Sequence, residues 1–329
     1  MKTRIYMAIA FCAIFAGCGG GGGSAPPPIL NGGTGESASP SPTPSPTPAA
    51  LRAYISDNGT PGTVSVFSLP LTSSSAPRIS IAGSGGPAAM GFDPVHRLFV
   101  VNSGSGVIQV FSQPITNAAV PTVAFHGPNT GIAGNGQEDV AFDPSGNAYI
   151  SIGACAAFRC VGNISAFAAP ITSSSVPAFV ISERNSVPGL AFDATGNLWA
   201  VASGFGGYAT SITQFKPPFS STSTPSLSFG DRFATAIAFD STGNLYAANL
   251  NGVDVYTPPL TSSTAKAFTI AAPGASPAYL AFDSAGTLYV TVSNGTVLVF
   301  TPPFSSNSTP AVTMPIPGAP TNAGIAIGP

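Results

Sequence analysis

The chain has 329 residues, of which only 7% are charged, with 10 Lys and Arg against 12 Asp and Glu and a formal net charge of −2. That balance excludes nucleic acid or acidic lipid as an electrostatic partner, because such binding rests on many basic contacts. A weakly charged, apolar chain with 38 glycines and 34 prolines is what stacked β-sheets joined by tight turns would give.

At the N-terminus, Lys2 and Arg4 precede an apolar stretch from Ile5 to Phe15 that is too short to span a bilayer. Phe15-Ala16-Gly17-Cys18 follows, small residues ending in a cysteine. The segment resembles the lipobox of bacterial lipoproteins, with Phe where Leu is commoner. The resemblance implies a signal peptide over residues 1–17, cut before Cys18, with acyl chains carried on the new terminal cysteine. Several chains anchor stably, since each buried methylene contributes ~0.8 kcal/mol. An ordinary cleaved signal with a chance cysteine is the alternative. Gly19, rather than Asp, follows the cysteine and gives no hint of inner-membrane retention. The expected location is therefore the bacterial cell envelope, lipid-anchored at the outer membrane or cell surface and extracytoplasmic. Loss of Lys2 and Arg4 leaves eight basic residues against twelve acids, a charge of about −4. After Cys18 no apolar run approaches ~18 residues, so no second span is expected.

Residues 18–50 read as the lipidated cysteine and a disordered stalk. Gly19 to Gly23 is flexible, and Ser39 to Pro48 alternates proline. Such a segment favours polyproline II at ~3.1 Å per residue, so ten residues stand off by ~30 Å. Of the four cysteines, Cys12 leaves with the signal and Cys18 takes lipid. Cys155 and Cys160 remain, and in an oxidising compartment they call for a local disulfide. A metal site would need further ligands, and the chain has only His96 and His126.

From Leu51 to Pro329 the chain repeats itself. One half of the repeat carries an aromatic at Phe67, Phe111, Phe167, Phe215, Tyr256 and Phe300. A proline follows three residues later at Pro70, Pro114, Pro170, Pro218, Pro259 and Pro303. A second proline stands ten after the aromatic in five copies, replaced by Lys266 in the sixth. The other half contains Phe92-Asp93, Phe142-Asp143, Phe192-Asp193, Phe239-Asp240 and Phe282-Asp283. Each unit offers four short strands. In the Trp199 unit these are Gly189–Asp193, Asn197–Ala202, Ser211–Phe215 and a strand near Ser226–Phe229. The Asp-x-x-Gly link between the first two is a hairpin loop, with Asp folding onto backbone N–H groups and Gly supplying positive φ. The second strand is apolar on both faces, as a sheet sandwiched between two neighbours requires.

The chain ends complete the count. Gly324-Ile-Ala-Ile327 matches Gly189-Leu-Ala-Phe192, and Leu51-Arg-Ala-Tyr-Ile-Ser56 matches Gly146-Asn-Ala-Tyr-Ile-Ser151. The expected fold is all-β: a six-bladed β-propeller over residues 51–329, closed by a C-terminal strand that completes the N-terminal blade and removes open edges. The repeat resembles the NHL family, whose units run roughly Gly-Val-Ala-Val-Asp-x-x-Gly-Asn-Ile-Tyr-Val-Ala-Asp. Val140-Ala-Phe-Asp143 leading into Gly146-Asn-Ala-Tyr149 is the closest stretch. The family's Asp-x-x-Asn-x-Arg after the second strand is missing here, where Val101-Asn-Ser-Gly-Ser-Gly-Val107 holds that place.

The chain lacks Gly-x-Ser-x-Gly, His-Glu-x-x-His, a phosphate loop and an EF-hand loop. His96 takes the Gly position of its turn, and His126 ends a fourth strand. The five repeat aspartates are turn caps by their repetition. The unrepeated residues on the rim around the tunnel mouth are therefore the expected place of function. The links between blades carry Glu138, Asp139, Glu183, Arg184, Asp231 and Arg232, and the loops after the second strands add Tyr208 and several asparagines. Acids from three adjacent blades suit a hard cation such as Ca²⁺ or a polar ligand; the alternative is a solvated rim with paired surface charges. The gluconolactonase-like propellers are also six-bladed and hold a divalent metal in the mouth, their first ligand a Glu five residues before the strand aspartate. Glu138 fits that place, with Asp139 beside it. The equivalent Ala88, Pro188, Thr235, Ala278 and Ala323 are not ligands. The expected function is a monomeric binding or interaction propeller for a cell-surface protein or a small polar ligand. A metal-dependent lactonase and a structural surface protein are the alternatives.

Overall fold

The structure, a computed structural model, describes residues 50–59, 62–83, 85–126, 137–156, 159–183, 185–204, 210–318 and 322–329. The expected signal peptide, Cys18 and the stalk up to residue 49 lie outside the described residues. The described residues form 24 strands in six four-stranded sheets, with no helix among them. Blade I holds β1 (Arg52–Asp57), β2 (Thr63–Ser68) and β3 (Ile79–Ala82). Blade II is β4 (Pro87–Phe92), β5 (Leu98–Asn102), β6 (Val107–Phe111) and β7 (Val123–Phe125). Blade III is β8 (Gln137–Phe142), β9 (Ala148–Ala156), β10 (Arg159–Phe167) and β11 (Phe179–Glu183). Blade IV is β12 (Ser186–Phe192), β13 (Leu198–Ser203), β14 (Ser211–Phe215) and β15 (Leu227–Gly230). Blade V is β16 (Ala236–Phe239), β17 (Leu245–Asn249), β18 (Gly252–Tyr256) and β19 (Phe268–Ala271). Blade VI is β20 (Pro277–Phe282), β21 (Leu288–Val292), β22 (Thr296–Phe300) and β23 (Val312–Pro315). The last strand, β24 (Ile325–Gly328), returns to blade I and pairs with β1, Ile55 opposite Ile325 and Arg52 opposite Gly328.

The first strand of each blade contacts that of the next, running β24, β4, β8, β12, β16, β20 and back to β24. This is a closed ring of six blades, as the repeat predicts. Closure is fastened by side chains as well as by the ladder. Ser56 Oγ donates to the Ala88 carbonyl at 2.9 Å and accepts from Gly324 N–H at 2.7 Å. Tyr54 Oη and Gln113 Nε2 both donate to the Pro329 carbonyl, at 2.6 and 2.9 Å.

The second strands are buried along their whole length in blades II, V and VI, which matches a sheet covered on both faces. The hairpin aspartates behave as caps. Asp193 Oδ1 accepts from the backbone N–H groups of Thr195 and Asn197, and Asp93, Asp143, Asp240 and Asp283 repeat the geometry. The turn glycines Gly146, Gly196, Gly243 and Gly286 all have φ near +80°, and His96 takes the same place at φ 64°. Six residues after each Asp the second strand carries an aromatic, and three of them return a polar atom to the second carboxylate oxygen. These are Trp199 Nε1 at 2.8 Å, Tyr246 Oη at 3.1 Å and Tyr289 Oη at 3.0 Å. In blade II the aromatic is Phe99, and Arg97 takes over, bonding Asp93 at 2.7 Å and lying over the Phe99 ring.

The six repeat prolines each follow a cis peptide bond. The residue after each is apolar: Leu71, Ile115, Ile171, Phe219, Leu260 and Phe304. Each packs with the second-strand aromatic of the preceding blade, Ile171 with Phe99, Phe219 with Tyr149 and Leu71 with Tyr289 among them. The Thr-Ser-Ser-Ser link that follows is a capped turn, in which Ser75 Oγ accepts from Thr72 N–H and Ser175 Oγ from Thr172 N–H, both at 2.9 Å. Ser75 and Ser175 thus act as turn caps.

Candidate functional site

At the end of the ring where the inter-blade links meet lies a cavity of about 450 Å³. The first strands contribute Ala88, Pro188, Pro277, Ala278 and Tyr279 to its wall, Thr235 joins them just before β16, and the loops add Asn58, Ser103, Leu250, Ser276, Ser293 and Asn322. Four of these, Ala88, Pro188, Thr235 and Ala278, are the repeat positions equivalent to Glu138. None of the described lining residues is charged. The wall is apolar at strand level, with amides and hydroxyls above it.

Tyr279 sets the depth of the cavity. It packs against the apolar cluster of blades II and III that holds Ala89 and Val140, and against the cluster of blades VI and I that holds Ala323 and Ile325. A side chain reaching from blade VI to the opposite blades lies across the tunnel, so the mouth is a cup above an aromatic floor. Its backbone N–H donates to Thr291 Oγ1 at 3.2 Å, beside an irregularity in the β20–β21 register. The repeat column to which Tyr279 belongs reads Ala89, Asp139, Gly189, Ala236, Tyr279 and Gly324, so its size stands out once the copies are aligned.

The unrepeated charged residues are dispersed. Asp139, on β8, accepts from its neighbour Val140 N–H and from Leu190 N–H on β12, both at 2.8 Å. Its Oδ2 thereby ties the first strand of blade III to that of blade IV, while Oδ1 is held within β8. Glu183 ends β11, an outer strand, opposite Gly162. Arg232 is exposed with its guanidinium 5.8 Å from the Phe233 ring. Asp231 is only 4% exposed and lines a separate cleft between blades IV and V with Arg232, Asn249, Asp254, Tyr256 and Lys266. Glu138 has its backbone in β8, but its side chain lies outside the described residues, as do Arg184 and Tyr208. Cys155 and Cys160 face each other in the β9–β10 register; their side chains also lie outside the described residues.

The asparagines divide in the same way. Asn58 reaches the mouth. Asn102 is fully buried and donates to the Val107 carbonyl and Gln109 Oε1, bracing its own hairpin. Asn249 donates to Asp231 at 3.4 Å. Among the described residues no three His, Cys, Asp or Glu side chains converge to hold a metal ion.

No family model matches the sequence, and no curated protein matches it. Solved structures share its architecture. A protein of unknown function from Bacteroides caccae superposes with a TM-score of 0.57 at 10% identity, covering 85% of this chain and 99% of its own. A gluconolactonase from Xanthomonas campestris superposes with a TM-score of 0.52 at 16% identity, covering 74% of this chain and 84% of its own. At these identities the likeness is one of fold: the chain is built as these proteins are, a six-bladed β-propeller.

Proposed function

We propose that the protein is an extracytoplasmic binding propeller of NHL-like repeat, anchored through Cys18, whose mouth takes a small, uncharged polar ligand. The observation that carries this reading is the cup itself. A cavity of about 450 Å³ with an apolar wall, an aromatic floor and neutral hydrogen-bonding groups from Asn58, Ser103, Ser276, Ser293 and Asn322 has the make-up of a binding pocket. These groups are half-buried or exposed at the mouth, where they can exchange water for the hydrogen bonds of a polar ligand. A disulfide between Cys155 and Cys160, which oppose each other in the β9–β10 register, would belong to the same extracytoplasmic reading. Thermal unfolding with neutral polar probes tests it. A probe at 100 times its dissociation constant adds about 2.7 kcal/mol, and a panel that leaves the transition unmoved at millimolar concentration would count against the cup.

A second reading, a metal-dependent lactonase, is favoured by the fold shared with the Xanthomonas campestris gluconolactonase and by the repeat position of Glu138. The described residues do not fit the metal that this reading needs. The positions equivalent to Glu138 are Ala88, Pro188, Thr235, Ala278 and Ala323, and the Asp139 oxygens already accept backbone N–H groups. Stabilisation by Ca²⁺, Mg²⁺, Mn²⁺ or Zn²⁺ that disappears in Glu138→Ala, together with lactone hydrolysis, would establish the lactonase in place of the binding module.

A further inference from the structure

Four departures from the repeat meet in the cleft between blades IV and V, a cavity of about 320 Å³. Tyr256 stands where the other five blades have Phe67, Phe111, Phe167, Phe215 and Phe300. Asp254 stands where they have Ser65, Gln109, Ser165, Thr213 and Leu298. Lys266 replaces the second repeat proline, and Asp231 is the first residue of the link from β15 to β16. Their side chains are wired together. Tyr256 Oη donates to Asp231 Oδ2 at 2.9 Å, and Asn249 Nδ2 to Asp231 Oδ1 at 3.4 Å. Lys266 Nζ reaches both oxygens of Asp254 at 3.1 and 3.2 Å, and Thr269 Oγ1 also donates to Asp254.

The charges in this seam do not balance where they are buried. Asp231 and Asp254 are 4% and 5% exposed, whereas the Lys266 side chain is 54% exposed and is engaged by Asp254. Arg232, from the same link as Asp231, is exposed and lies against Phe233. Among the described residues the groups facing Asp231 are therefore Asp254 and Tyr256 from β18, neutral Asn249 from β17, Arg232 from its own link, and Lys266 before β19. A buried carboxylate held only by neutral donors is costly when ionised.

We infer that the seam between blades IV and V is a proton-responsive joint, tightened when Asp231 takes up a proton and loosened when it ionises. Burial pushes the Asp231 carboxyl up, the Tyr256 hydrogen bond opposes this, and Asp254 adds to it, leaving the group at about 6. A carboxyl raised in the folded state binds its proton more tightly there than in the unfolded chain. Its stabilising effect is full below the ordinary carboxylate range and is lost as pH rises through about 6. The other shifted carboxylates, Asp193 and Asp240, are lowered and so act below this window.

The protein carries its own probe. Trp199 is the single tryptophan and lies in the blade IV–V cluster with Phe229 and Tyr256, their rings in sequential contact. Trp199 fluorescence of the full chain, followed from pH 7.5 to 5, should titrate with a midpoint near 6, and the unfolding temperature should rise over the same range. In Asp231→Asn both changes should vanish, with the neutral-pH unfolding temperature at or above the wild-type value at pH 5. Tyr256→Phe should move the midpoint up and Asp254→Asn should move it down, which keeps the test open if one variant fails to fold. A wild-type protein flat over this range, or a transition that persists unchanged in Asp231→Asn, would overturn the inference.

Discussion

At the residue scale, Asp193 accepts five hydrogen bonds: from the N–H and Oγ1 of Thr195, the N–H and Nδ2 of Asn197, and Trp199 Nε1. Burial alone would raise its carboxyl, but the bonds from Trp199, Thr195 and Asn197 outweigh it and hold the group below its ordinary value. Asp193→Ala strands the buried Trp199 N–H and should cost about 1–3 kcal/mol in chemical denaturation. Because the folded carboxyl is lowered, its contribution is present above the ordinary carboxylate range and lost as pH falls through the folded value. The gap between wild type and variant should therefore narrow on acidification below about pH 4. His96 is the converse case, an L-residue at φ 64° where four sister turns use glycine. His96→Gly should raise stability by about 0.5–1 kcal/mol, since the left-handed strain it relieves exceeds the extra flexibility of unfolded glycine. A destabilised variant would mean that the imidazole makes a compensating contact.

At the element scale, the repeat made most of the architecture legible. The strands expected in the Trp199 unit fall within about three residues of β12 to β15, and the register of β24 on β1 follows the matched end segments. The largest difference is at the start of β12, which begins at Ser186 rather than Gly189 because an irregularity in its pairing with β13 carries the ladder past Pro188. The candidate site was less legible for a physical reason. Repetition fixes which residues are structural, but the direction of an unrepeated side chain depends on the local course of its link. Asp139 and Asp231 share the rim in sequence, yet one ties two first strands and the other sits in an inter-blade cleft. Tyr279 is masked in the sequence by its neighbour Leu280, which fits the apolar pattern of the first strands. The residue after each cis proline is equally periodic, and it buries the seam below each blade. Leu71 is 4% exposed in the cluster with Tyr289, so Leu71→Ala should cost about 2–4 kcal/mol by removing that plug. A loss under about 0.5 kcal/mol would show that the plug is not structural.

At the scale of the whole molecule, the ring is closed by one short strand, and its weakest tolerance is at Gly324. A Cβ there would lie 1.8 Å from the Ala88 carbonyl oxygen, the acceptor that also receives Ser56 Oγ. Gly324→Ala should therefore open the blade I–II joint and cost about 3 kcal/mol or more, read as a fall in unfolding temperature; an unaffected transition would mean that closure does not depend on this contact. In a closed ring with a floored cup, the mouth is the proposed seat of ligand binding. Its most direct test is saturation-transfer NMR of the protein against small neutral polar molecules, with Ala278→Trp, which fills the cup from its wall, as the comparison. Transfer to at least one neutral probe is expected in the wild type, with its loss in Ala278→Trp. Silence across the panel, or transfer undiminished with the cup filled, would contradict it.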